Sequence, residues 1–90
     1  MLSRNFTIVN RLGLHARAAA QLVQTANKFT SEVMLTKEDV EVNGKSIMGI
    51  LLLAAPKGTE IMVSVTGNDE EQAMQVIADL IEDGFGEDKG

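Results

Sequence analysis

Ninety residues carrying a net charge of −5, 44% hydrophobic and 23% charged, suffice for one folded domain spanning residues 1–90 and leave no room for a second core. The absence of cysteine excludes disulfides and thiolate metal sites, and a single histidine argues against a histidine-rich metal centre. The acidic balance, with no Trp or Tyr and only three Phe, opposes nucleic-acid binding, which needs a basic surface and stacking rings.

Leu2 to Val9 alternates, with Leu2, Phe6 and Ile8 on one face and Ser3, Asn5 and Thr7 on the other, so a half-buried strand is predicted. Arg4 interrupts the apolar face near the start, where its charge can reach solvent. Asn10 to Gly13 is a loop. Apolar residues then recur at Ala19, Leu22, Val23 and Ala26, predicting a helix over Ala16–Lys28. A second strand, Glu32–Thr36, turns through Lys37-Glu38-Asp39 into a short third one, Val40–Val42, which Asn43-Gly44 ends. Ser46 suits the N-cap of a short helix, Ile47–Leu53, stopped by Pro56 and Gly58. That helix is apolar almost all round, so part of it belongs to the core and part to an exposed surface.

Glu60–Thr66 is the clearest strand, with Ile61, Val63 and Val65 on one face. Asn68-Asp69-Glu70-Glu71 supplies a capping residue and acids for a last helix, whose buried stripe is Ala73, Ile77, Leu80 and Ile81 with Met74. Gly84 suits its C-cap, and Glu87–Gly90 is expected to fray. The order βαββαβα predicts an α+β fold with one sheet face covered and the other solvated. The first ten residues lack the pattern of a signal peptide, and the longest apolar run, Ile47–Pro56, is about half of a membrane span. A cytoplasmic protein without direct membrane insertion is expected.

His15 stands where the first loop becomes a helix, two residues before Arg17. A helix start presents unpaired N–H groups and the positive end of the dipole, and so attracts anions. The dipole and Arg17 both act against positive charge on the ring, which would favour its use as a nucleophile. Once the ring has accepted a phosphoryl group, the same N–H groups and Arg17 would stabilise the new charge. Against this, a loop histidine is commonly only solvated, and a surface arginine commonly only a solvated charge. Gly13 is a turn residue that presents His15, and Leu14 is an apolar neighbour expected to be exposed for a partner to cover. Ser46 is first a cap, although a phosphate there would act as a charge switch on Ile47, Met48 and Leu51. No catalytic triad, carboxylate pair or glycine-rich phosphate loop is present, so a carrier whose partners complete each active site fits better than a stand-alone enzyme.

Gly13-Leu14-His15-Ala16-Arg17, Asn43-Gly44-Lys45-Ser46-Ile47-Met48-Gly49 and the capped last helix together resemble HPr, the histidine-containing phosphocarrier of the bacterial phosphoenolpyruvate-dependent phosphotransferase system. The resemblance covers essentially the whole chain. It implies an open-faced β-sandwich, a four-stranded antiparallel sheet with three helices on one face. It implies that His15 takes a phosphoryl group on Nδ1 from enzyme I and passes it to an enzyme IIA, in sugar uptake or in a nitrogen-related relay. Arg17 would stabilise the phosphate with the backbone N–H groups of Ala16 and Arg17, and Leu14, Ile47, Met48 and Leu51 match partner-docking positions. Ser46 matches the serine modified by HPr kinase/phosphorylase, the basis of a second reading in which the protein is an interaction module controlled at that serine. No cofactor and no metal are implied, and a monomer is expected. The motif departs from the family's usual proline at position 18, here alanine, which changes local rigidity more than chemistry. Asn10-Arg11-Leu12-Gly13 and Gly84-Phe85-Gly86-Glu87-Asp88 resemble the nitrogen-related branch, NPr, whereas the Ser46 segment resembles the sugar-system proteins. A ligand-binding regulatory domain of ferredoxin-like type is a third class, which would need a polar cleft.

Overall fold

Alternation along the chain builds the sheet. Phe6 in β1 (Leu2–Thr7), Val33 and Leu35 in β2 (Glu32–Lys37), Val42 in β3 (Val40–Asn43), and Ile61, Val63 and Val65 in β4 (Glu60–Thr66) all point to one buried face. The computed structural model describes residues 1–87. Its four strands form one antiparallel sheet in the order β1-β4-β2-β3. The register places Arg4, Val63, Leu35 and Val42 in one row across the sheet, and Phe6 opposite Ile61. Arg4 therefore belongs to the inward face, but on an edge strand. Its guanidinium lies 5.0 Å above the Phe6 ring and 3.6 Å from the Glu82 carboxylate, so the charge stays at the rim. On the opposite face Ser3 and Ser64 hydroxyls meet at 3.0 Å, and Met62 is exposed.

Three helices cover the buried face. α1 (Ala16–Ala26) buries Ala18, Ala19, Leu22, Val23 and Ala26, where three alanines allow close approach. α3 (Glu70–Glu82) buries Ala73, Met74, Ile77, Ala78 and Ile81, while Leu80 packs at the margin. The short α2 (Ile47–Leu53) sends only Ile50 and Leu53 inward. Full burial of a side chain such as Leu22 stabilises the fold by about 1.5–3 kcal/mol.

The start of α3 differs from expectation. Asp69 occupies the N-cap position without making a side-chain cap. Its carboxylate instead accepts from the backbone N–H groups of Thr30 (2.9 Å) and Ser31 (3.0 Å), and from the Ser31 hydroxyl. It thereby ties the α1–β2 connection to α3. These donors, the Ser31 hydroxyl foremost, hold its pKa below the ordinary 3.8. Glu70 takes over at the helix start, accepting from Gly67 N–H at 3.0 Å.

The other end also differs. Gly84, at φ +69°, ends α3, and a 3₁₀ turn over Gly84–Gly86 follows. The turn inserts Phe85 into the core and delivers Glu87 onto the loop after β1, so Glu87 does not fray. Residues 88–90, also expected to fray, lie outside the described residues.

Candidate functional site

The loop after β1 is fixed from three directions. Gly13, at φ +67°, donates to the Asn10 carbonyl at 3.1 Å. A Cβ at Gly13 would lie 2.5 Å from the Ala55 carbonyl oxygen, so only glycine allows this approach to the segment following α2. Leu14 N–H then donates to that Ala55 carbonyl at 2.9 Å. The Leu14 side chain turns into the core and is 4% exposed, which corrects its assignment to a docking surface. It is the residue before the cap, and Ala19, buried too, is the fourth of the helix: the positions of a hydrophobic staple.

With that anchor set, His15 becomes the N-cap of α1. Its backbone is extended, and its Nδ1 accepts from Arg17 N–H at 3.3 Å. An acceptor at Nδ1 requires a lone pair there, which puts the ring proton of the neutral form on Nε2. Nε2 faces Glu87, 2.7 Å from Oε2 and 2.9 Å from Oε1. Asn10 braces the pair. It is fully buried and donates from Nδ2 to the Gly13 carbonyl (2.8 Å) and to Glu87 Oε1 (3.0 Å), while none of the described residues bonds its Oδ1. The Glu87 pKa is held below its ordinary value, chiefly by the hydrogen bond from His15, against the opposing effect of burial and with help from Asn10 and the Arg17 charge.

A cleft of about 310 Å³ opens here, with His15, Glu87, Arg11, Arg17, Gln21 and Leu12 in its wall. Arg11 and Arg17 are exposed, and neither guanidinium forms an ion pair among the described residues, so both are available to an anion. Ala16 and Arg17 open the helix, where N–H groups lack intrahelical acceptors. Ala18 is fully buried within the regular first turn, so helix geometry there does not depend on a proline. The arrangement sets an Nδ1 lone pair among N–H donors at a helix start with two guanidinium groups nearby, surroundings in which an anion attached to that nitrogen would be stabilised.

Ser46 accepts from Gly49 N–H at 3.1 Å and so caps α2, as its sequence position predicts. Beyond it Ile47, Met48 and Leu51 are exposed, Met48 at 73%. Leu52 (74%) and Leu12 extend the exposed apolar set and were not singled out from sequence as docking residues. Asn10 and Glu87 were likewise missed. Asn10 carries a turn signal only, and Glu87 is 72 residues from the ring it touches. No group of three His, Cys, Asp or Glu among the described residues is placed to hold a metal ion. No helix among them is long and apolar enough to cross a membrane.

Fold and site together define a small open-faced sandwich with a histidine at the head of its first helix. A family model described as the PTS HPr component phosphorylation site matches residues 2–83. The chain is 54% identical over 87 residues to a phosphocarrier protein HPr of Neisseria meningitidis, covering 97% of this chain and 98% of that protein. It is 53% identical over 88 residues to a phosphocarrier protein HPr of Xylella fastidiosa, covering 98% and 99% of the two. The crystal structure of HPr-C-His from Thermoanaerobacter tengcongensis superposes with a TM-score of 0.94 at 46% identity, over 98% of this chain and 99% of that one. The chain belongs to the HPr family of the phosphotransferase system.

Proposed function

We propose that this protein is a phosphocarrier that accepts a phosphoryl group on Nδ1 of His15 from phosphorylated enzyme I and donates it to enzyme IIA proteins. It works as one monomeric domain in the cytoplasm, without cofactor or metal. The observation that carries this reading is the direction of Nδ1, whose lone pair points at Arg17 N–H at the start of α1. In the transfer, the P–N bond of the donor breaks as a P–Nδ1 bond forms. The Arg17 N–H that bonded the ring nitrogen is then released to bond a phosphoryl oxygen, joined by Ala16 N–H and the Arg17 guanidinium. Ile47, Met48 and Leu51, extended by Leu52 and Leu12, form the surface against which partners dock.

The test is labelling by enzyme I and phosphoenolpyruvate, followed by an acid step. The wild type acquires an acid-labile label, and His15→Ala acquires none. An acid-stable label that survives in His15→Ala would move the assignment to Ser46 and its kinase-controlled role. A panel of IIA acceptors then separates the sugar branch from the nitrogen-related one.

A further inference from the structure

The geometry points to Glu87 as the positioning residue that keeps the proton on Nε2 of His15 through both halves of phosphoryl transfer, and so sets the lifetime of the phosphorylated state. This rests on the phosphocarrier reading. Glu87 contacts the ring edge opposite Nδ1, through Oε2 at 2.7 Å and Oε1 at 2.9 Å. It has little freedom to leave. The buried Asn10 amide holds Oε1 at 3.0 Å, and Phe85, two residues earlier, is locked in the core. The other charged groups lining the cleft are Arg11 and Arg17, and neither can accept the Nε2 proton.

The electron accounting gives that proton its importance. When Nδ1 of the neutral ring donates its lone pair to phosphorus, the ring becomes a cation with its proton still on Nε2. The Glu87 carboxylate offsets that charge and keeps the proton from leaving for solvent. On donation, the P–Nδ1 bond breaks and its electron pair returns to Nδ1. The ring then departs as neutral imidazole because Nε2 is still protonated. Had the proton been lost, the leaving group would be an imidazolate anion, and the P–N bond would persist. The proton stays on one atom throughout, and Glu87 remains ionised, consistent with its depressed pKa.

Glu87→Gln keeps the shape of the side chain and removes its charge, so it separates proton retention from a structural role. Wild type and variant are phosphorylated chemically with phosphoramidate, and decay of the phosphohistidine is followed by ³¹P NMR between pH 6 and 9. In Glu87→Gln the half-life at pH 7.5 is expected to lengthen about tenfold, and the decline of decay rate with pH to begin about one unit lower. Glu87→Ala should do the same. Equal half-lives and superimposable pH profiles would overturn the inference. So would ring ¹⁵N shifts of the unphosphorylated wild type that place the neutral proton on Nδ1, a measurement needing no phosphoryl donor. If enzyme I fails to label a protein whose decay depends on Glu87 in this way, the phosphocarrier reading falls and the role of Glu87 stands.

Discussion

Gly13→Ala tests how tightly the loop bearing His15 is held. At φ +67°, a residue with a Cβ costs about 1–2 kcal/mol more than glycine. The new Cβ would also lie 2.5 Å from the Ala55 carbonyl oxygen and 2.8 Å from Pro56 Cα. Both are backbone atoms that cannot rotate aside, so the loop must move back. That movement breaks the 2.9 Å bond from Leu14 N–H to Ala55, worth about 0.5–1.5 kcal/mol. Together these effects cost about 1.5–3.5 kcal/mol. For a chain of this size each kcal/mol shifts Tm by about 4–8 °C, so Tm should fall by about 6–28 °C. Thermal melts followed by circular dichroism measure the fall. Phosphoryl acceptance, assayed well below the new Tm, should also drop because His15 moves with the loop. A Tm within 3 °C of wild type would refute both the close approach and the strain.

Arg17→Ala should leave Tm unchanged, since the exposed guanidinium forms no ion pair among the described residues, while slowing transfer by about ten- to hundredfold, as expected for lost charge-assisted bonds to phosphate. Stopped-transfer assays with enzyme I measure this, and complete loss would assign Arg17 a larger role. Ser46→Ala removes the oxygen that accepts from Gly49 N–H and should cost about 1 kcal/mol, read in urea melts, with acceptance at His15 retained. Asp69 has a pKa lowered from its ordinary 3.8, so the stability it contributes is complete above the unfolded value and is lost as pH falls through the lower folded value. Asp69→Asn should therefore flatten the acid limb of the stability profile below about pH 4, and an unchanged limb would refute the assignment.

Most of the architecture was legible because it is periodic. The alternation of Ile61, Val63 and Val65, and the three-and-four spacing of Ala19, Leu22, Val23 and Ala26, specify which face is buried wherever the element lies in the fold. The failures have local causes. Leu14 looked exposed because it adjoins the polar His15, yet an apolar residue just before a cap commonly staples to the helix it precedes. Asn68-Asp69-Glu70-Glu71 promised a capping residue, but Asp69, which takes the cap position, gives its carboxylate to the loop at Thr30 and Ser31 in three bonds. At the site, His15 and Arg17 announce themselves within three residues, whereas Glu87 reaches the ring through a turn made by Gly84–Gly86, which no periodicity encodes. Exposure within α2 was half legible. An all-apolar helix cannot be wholly buried on a one-sided sheet, but only packing decides that Leu52 faces out and Leu53 in.

The order β1-β4-β2-β3 has a consequence during synthesis. The first strand made has a single neighbour, β4, whose ladder runs from Glu60 to Val65, and the histidine that follows it finds its carboxylate partner 72 residues later. At about 5–20 residues per second, a ribosome needs roughly 4–14 s to cover that interval. For that time His15 lacks the Glu87 carboxylate, and until Val65 is made β1 lacks its full ladder as well. The corner around His15 therefore matures last, and a truncated chain ending within α3 would carry His15 without the carboxylate that contacts its ring.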